Sequence, residues 1–545
     1  MPEQESRTIA ADNEFRDKLT EYVRSGYQSL FIPTVEEARL EGELQNIAKG
    51  LDRAFVTWDA ATGFSAPEAA RSQQKYRMPQ EALRALTDPE GPFNGNFVFM
   101  FRDLPDYFND ALVRRLVRGM CEGNKLVNQG WKRPLIITHP QDKIHDSLKS
   151  CLTLVDFNLP TEDMLRRILD FVKASIERPN SKDRSTSFTD ELGDDIVGVL
   201  RGLTGGEAEN VLARCLVRHK GFCPDMLQTI KDEKANIVKK SEILTYIPEG
   251  EMASRDEIGG FDLLLDWLDR RRLAYGRDAR AENLDYPKGI TLLGVPGTGK
   301  SYVAQAMGRL LGLPVYIMDV GAVFGHLVGE SESRMRSALK LIAAQQGCVL
   351  LLDEADKAFG GAADSSQDSG VTRRVFGQFL TWLAAKKDRT FVVMTMNRTK
   401  GIPPEFLRAG RFDAVFYTTL PHPYEIEEIA KIHFTKRGVD PEGLGLKQAD
   451  WTKLVGDMKG FVGSEVEEVV KESRYIAFER RQTGTPNFDE IHEAIAGIRP
   501  ISVLDKENVD AIAKFVKDRA KPVSSPPKKT RSQTSRTRAV DIGSN

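Results

Sequence analysis

A chain of 545 residues is several times longer than one hydrophobic core supports, so about two to four domains of ~100–200 residues each are expected. Apolar residues at 41% and charged residues at 29% exclude a wholly disordered chain, and a net charge of −2 excludes a global pull toward nucleic acid or membrane. The five cysteines are scattered without a C-x-x-C pair, and no apolar run approaches the ~18–20 residues that span a bilayer, so the expectation is a soluble protein of a reducing cytoplasm.

Along the chain, Phe15, Leu19, Tyr22 and Val23 recur at helical spacing, and Gly26 stops that pattern before the strand-like run 29–32. Further strand-like runs at 54–57, 97–101 and 135–138 alternate with helix-compatible stretches, so residues 1–245 read as an α/β domain with a parallel sheet. Runs at 289–293, 314–318, 349–352, 391–395 and 415–418 predict a second α/β domain over 246–420. A mostly helical stretch at about 424–498 predicts a helical subdomain over 421–520. Residues 521–545 are rich in Lys, Arg, Ser, Thr and Pro, with little to bury, and predict a disordered basic tail.

The two halves resemble one another. GLTGGEAENVL from Gly202 reads like GFVGSEVEEVV from Gly460, and VFMFRDLPDYF from Val98 reads like VLLLDEADKAF from Val349. The residues before Pro160 and Pro421 match in the same order, so a duplicated fold is expected.

The strongest local signal is GVPGTGKS at residues 294–301, which fits G-x-x-x-x-G-K-[ST] between an apolar strand and a helical pattern. Glycines let backbone amides wrap a polyphosphate closely, and the helix start behind them favours negative charge. Gly294, Val295, Pro296, Gly297, Thr298, Gly299, Lys300, Ser301 and Tyr302 are therefore candidate ATP contacts, with Lys300 at the β- and γ-phosphates and Ser301 on Mg²⁺. Asp353 and Glu354 follow a strand buried on both faces. Asp353 suits Mg²⁺ and Glu354 suits a general base on the attacking water. Asn397, at a strand end, reads either as a water-positioning amide or as a turn residue, and Arg408 and Arg411 read either as surface ion-pair partners or as catalytic groups.

The collinear set DEIGG from Asp256, the 294–301 loop, VGESE from Val328, Asp353 with Glu354, Asn397, and RAGRFD from Arg408 resembles the AAA family of AAA+ ATPases. Over roughly residues 10–520 the chain is similar to the hypothetical chloroplast open reading frame (ycf) type of AAA protein, through YQSLFI from Tyr27, TWD from Thr57, GESESRMR from Gly329 and LTWL from Leu380. That resemblance implies an AAA+ P-loop domain with a helical lid, preceded by a degenerate AAA-like domain. It implies ATP hydrolysis with Mg²⁺, Ile258 and Gly259 near the adenine, Asn397 as the sensor-1 residue, and Gly463 in the lid near the nucleotide. Arg408 and Arg411 would be fingers reaching a neighbour's ATP, which implies a homo-oligomer, a hexamer by family precedent, acting on an unknown protein client. A plastid-encoded relative would reside in the stroma.

Two departures stand out. Residues 33–37, after the first strand, lack the glycines and lysine that hold phosphate, and Arg102 stands where the magnesium Asp belongs, so no catalysis is expected in the first half. Leu327 replaces the aromatic that peptide-threading relatives carry, leaving Leu327 and Val328 as pore lining or local packing. The loop 360–370 reads as a second pore-facing loop or an ordinary solvated one. The seven histidines lack metal-ligand spacing. The basic tail reads as a solvated terminus or as a contact for nucleic acid, an acidic protein or a lipid surface.

Overall fold

The computed structural model describes residues 15–66, 73–88, 90–93, 95–122, 133–176, 188–239, 243–324, 330–345, 347–357, 369–398, 410–517 and 519–525. The chain divides into two compact units, Met1–Asn236 and Ile237–Asn545. Among the described residues no helix is long and apolar enough to cross a membrane.

The first unit is built on β1 (Ser29–Pro33), β2 (Ala54–Asp59), β3 (Gly63–Phe64), β4 (Phe97–Arg102), β5 (Leu135–His139) and β6 (Thr153–Leu154), in the order β3-β2-β4-β5-β1-β6. All neighbours run parallel except the short β3, which returns antiparallel to β2. Strand period sorts the side chains onto two cores: Phe31, Phe99 and Phe101 pack on one face, Leu30, Val98 and Met100 on the other. Both faces are covered, as a parallel sheet requires.

The second unit repeats this plan with β7 (Leu244–Ile247), β8 (Gly289–Gly294), β9 (Val315–Met318), β10 (Val349–Leu352), β11 (Phe391–Met396), β12 (Ala414–Thr418) and β13 (Lys521–Pro522), ordered β13-β12-β8-β11-β10-β9-β7. Leu350 and Leu352 face one core, Val349 and Leu351 the other. Helices Pro423–Lys436, Gln448–Asp457, Gly463–Arg481 and Phe488–Gly497 pack around a separate core that includes Trp451, Phe434 and Val466, forming the helical subdomain.

The duplication extends to topology. Pairing β1 with β8, β2 with β9, β4 with β10, β5 with β11 and β6 with β12 gives the same spatial order in both sheets. The matched runs near Gly202 and Gly460 both open a helix whose third-residue glutamate caps the chain. Thr204 N donates to Glu207 Oε2 at 2.9 Å, and Val462 N donates to Glu465 Oε2 at 2.8 Å.

The expected basic tail begins later than residue 521. Lys521 and Pro522 form β13 on the edge of the second sheet, pairing with Phe416 and Tyr417, and Val523 is buried. Pro522 occurs at an edge, where its missing N–H costs nothing. The remainder of the tail, 526–545, lies outside the described residues, as do Leu327, Val328, Arg408 and most of the 360–370 loop.

Candidate nucleotide site

Strand β8 is buried along its whole length and delivers the chain to Gly294 at the end of the sheet. A Cβ at Gly294 would lie 1.9 Å from Thr418 Oγ1, so the close approach of β12 admits only glycine there. Gly297 (φ 80°) and Gly299 (φ 83°) take left-handed conformations that wind the loop into the helix Lys300–Leu311. Thr298 pins the loop: its hydroxyl donates to Val295 O at 2.8 Å, and Thr418 Oγ1 lies 2.6 Å away.

Lys300 is 5% exposed and donates its ammonium to Gly294 O at 3.0 Å and Val295 O at 2.8 Å. Burial pushes its pKa down to about 8, against the opposing pull of the carboxylates of Asp356, Asp353 and Glu354. Ser301 Oγ donates to Asp353 Oδ1 at 2.6 Å, and Thr395 Oγ1, from β11, donates to the same oxygen at 2.5 Å. The Thr395 hydroxyl also accepts from Glu354 N at 2.8 Å. Glu354 has φ 49°, a left-handed conformation uncommon outside glycine that turns the chain sharply after Asp353. Its carboxylate accepts from Asn397 Nδ2 at 3.1 Å and is ion-paired with Lys357, while Asn397 N donates to Asp356 Oδ1 at 2.9 Å.

Lys300, Ser301, Glu354 and Asn397 border a cavity of about 740 Å³. Its far wall brings Ile258 and Gly259 against Ile429, Ile432 and His433 of the helical subdomain. A Cβ at Gly259 would meet Ile429 Cγ1 at 2.8 Å. Burial pushes the His433 imidazole down to about 4, so this ring is neutral near neutral pH. Gly463 also lines the cavity, and Ser464 N donates to Gly297 O at 3.0 Å, latching the helical subdomain to the phosphate loop. The oxygen-only set of Ser301 and Asp353 suits a hard divalent cation such as Mg²⁺.

The sequence-predicted residues Ile258, Gly259, Pro296 to Tyr302, Glu354, Asn397 and Gly463 thus share one cavity. Gly294, Val295 and Asp353 sit one hydrogen bond behind it. Arg411 is not among the lining residues, and Arg408 lies outside the described ones. Thr395, Thr418, His433, Ser464, Val523 and Ser524 escape sequence reasoning. For Thr395 and Thr418 a signal exists, a lone hydroxyl at the end of an otherwise apolar strand facing the motif residues.

The first unit preserves the frame of this site without its chemistry. Asp103, matched to Glu354 in the duplicated run, keeps the left-handed turn at φ 55°. Arg102 stands at the position of Asp353 and pairs with Glu41 at 2.6 Å and Glu37 at 3.4 Å. Thr138 occupies the strand position of Thr395, and its buried hydroxyl, facing no matching carboxylate, has no hydrogen-bond partner among the described residues. Where the second unit joins Ser464 N to the phosphate loop, the first joins Gly205 N, one position earlier in the matched run, to the Glu36 carboxylate at 2.7 Å. Glu36 also pairs with Arg39 at 2.6 Å.

Family models match parts of both units. Residues 290–420 match the model of the ATPase family associated with various cellular activities (AAA). Residues 15–157 and 163–241 match the N-terminal and second domains of SpoVK-like AAA ATPases. The chain is 32% identical over 507 residues to the AAA domain-containing protein ycf46 of Pyropia yezoensis, covering 92% of this chain and 98% of that one. It is 26% identical over 340 residues to a cell division cycle protein 48 homolog of Archaeoglobus fulgidus, covering 57% of this chain and 43% of that one. It is 29% identical over 219 residues to the ATP-dependent zinc metalloprotease FtsH of Ralstonia pickettii, covering 39% of this chain and 29% of that one.

Proposed function

The chain belongs to the AAA family of ATPases, in company with the ycf46 proteins, and from that premise we propose that it hydrolyses ATP with Mg²⁺ and couples the turnover to conformational work on a client. The reading rests above all on one chain of contacts, from Ser301 to Asp353 to Thr395 to Glu354 to Asn397, facing the loop that holds Lys300.

In this mechanism the amides of residues 297–301 and the Lys300 ammonium bind the phosphates. Ser301 and Asp353 would hold Mg²⁺, which withdraws charge from the phosphate oxygens. Glu354 accepts a proton from water as its oxygen bonds to the γ-phosphorus and the bond to the β–γ bridging oxygen breaks, releasing ADP and phosphate. Asn397 holds the Glu354 carboxylate in place for that transfer. Arg411, absent from its own cavity lining, and Arg408 serve a neighbouring subunit, so the working form is an oligomer. The first unit, with Arg102 and Glu36 in its nucleotide frame, acts as a platform for recognition or assembly rather than catalysis.

Phosphate release measured across protein concentration tests this reading. Wild type should turn over faster per chain as concentration rises, and Glu354→Gln should bind ATP without releasing phosphate. Absence of wild-type turnover at every concentration would sink it. One observation favours a second reading, a slow nucleotide-gated scaffold: Lys357 competes for the Glu354 carboxylate. Lys357→Ala accelerates turnover under that reading.

A further inference from the structure

One wall of the nucleotide cavity outside the motifs is the C-terminal strap, residues 521–525. Val523 and Ser524 both line the cavity. The strap is held from three directions. On the sheet side, β13 pairs with β12, and Val523 N donates to Tyr417 O at 3.2 Å. On the base-side segment that follows Ile258 and Gly259, Leu264 N donates to Val523 O at 3.1 Å and Phe261 N donates to Ser524 Oγ at 3.3 Å. There Ser525 N also donates to Asp262 Oδ1 at 2.8 Å, and the Ser525 hydroxyl donates to Asp262 Oδ2. On the helical subdomain, Tyr424 OH donates to Ser525 O at 2.8 Å.

Val523 is 5% exposed and packs in the core that holds Ile258, Phe261 and Leu264. A second, more apolar cavity of about 520 Å³, lined in part by Val295, Leu420, Ile512 and Val516, lies against the same two strap residues. The strap therefore stands between the two cavities, and removing it would merge them.

We propose that Val523, Ser524 and Ser525 are positioning residues of the nucleotide site, and that docking of this strap and binding of nucleotide strengthen one another. The physical reason is shared scaffolding. A nucleotide in the cavity touches the segment around Ile258 and the helical subdomain, the same two parts that the strap ties together through Asp262 and Tyr424. Whichever ligand arrives first orders those parts for the other, and linkage makes the effect reciprocal. The inference rests on the nucleotide-site reading above and adds to it a C-terminal element outside the family motifs.

The test is equilibrium titration with ADP and Mg²⁺, which needs no hydrolysis. Four forms are compared with the full chain: one ending at Ser525, one ending at Ala520, Asp262→Ala and Asp262→Asn. The form ending at Ser525 should bind as the full chain does. The form ending at Ala520 and Asp262→Ala should bind at least about fivefold more weakly, and Asp262→Asn, which still offers an acceptor to Ser525 N, should recover most of the loss. Amide exchange at Leu264 and Ser525 in the full chain should slow on ADP binding. If melting shows the Ala520 form unfolded, Asp262→Ala, altered outside the cavity lining, decides the question. Equal ADP affinity in full chain and folded strap variants overturns the inference alone, whereas a full chain that binds no ADP overturns the nucleotide-site reading beneath it.

Discussion

The side-chain amide of Asn397 donates to the Glu354 carboxylate at 3.1 Å, across the gap between two neighbouring parallel strands. The contact exists because Glu354 takes a left-handed turn and because Thr395, two residues before Asn397, holds the Glu354 amide. A carboxylate held this way is pre-aimed, which is what a general base on a bound water needs.

Asn397→Ala should lower kcat on the order of 10²-fold while changing ATP affinity little, because it releases the base without touching the phosphate loop. Asn397→Asp should be as slow, since a second carboxylate would repel the first. Steady-state phosphate release with a parallel binding titration checks both.

Nucleotide affinity should fall as pH rises through about 8. Burial lowers the Lys300 pKa to about 8, so above that value the free protein increasingly presents a neutral amine to an anionic ligand. Binding measured between pH 7 and 9 should show proton uptake on the alkaline side. The same shift makes the buried Lys300 ammonium a cost to folding below about 8, and that cost is relieved as pH rises from about 8 to 10.5, because there the unfolded chain holds the proton that the folded chain has lost.

Thr395→Val should cost about 1–3 kcal/mol in folding stability, since it leaves the Glu354 amide without its hydroxyl partner and takes from Asp353 Oδ1 one of its two hydroxyl donors. Turnover should fall as well. Denaturant melts alongside phosphate release separate the two losses, and Thr395→Ser should restore both.

Arg411→Ala should cut turnover by about 10³-fold or more without weakening ATP binding. Mixing it with Lys300→Ala should restore part of the activity, because some interfaces then pair an intact phosphate loop with an intact arginine. No recovery on mixing would place the arginine's role within its own subunit.

Glu36→Ala should destabilise the first unit by about 1–3 kcal/mol, because the Gly205 amide and Arg39 lose a partly buried carboxylate. ATP turnover per folded molecule should stay at the wild-type rate.

The chemistry of this protein was written locally. A phosphate loop works through contiguous backbone amides, and the carboxylates proposed for metal and base follow a buried strand, so 294–301, Asp353 and Glu354 stand out as short runs with their flanking elements. The duplicated fold was also legible, because collinear apolar runs keep their spacing even where catalytic residues are lost. The tertiary structure alone decided what closes the site. Thr395 reaches Asp353 through parallel strand register, Ser464 latches onto Gly297, and His433 is kept neutral through burial. The polar end segment read as tail contributes Val523 and Ser524 because an open edge on β12 accepts it as a strand. Each of these pairs residues at least 40 positions apart in sequence, or depends on desolvation, and neither leaves a local pattern to read.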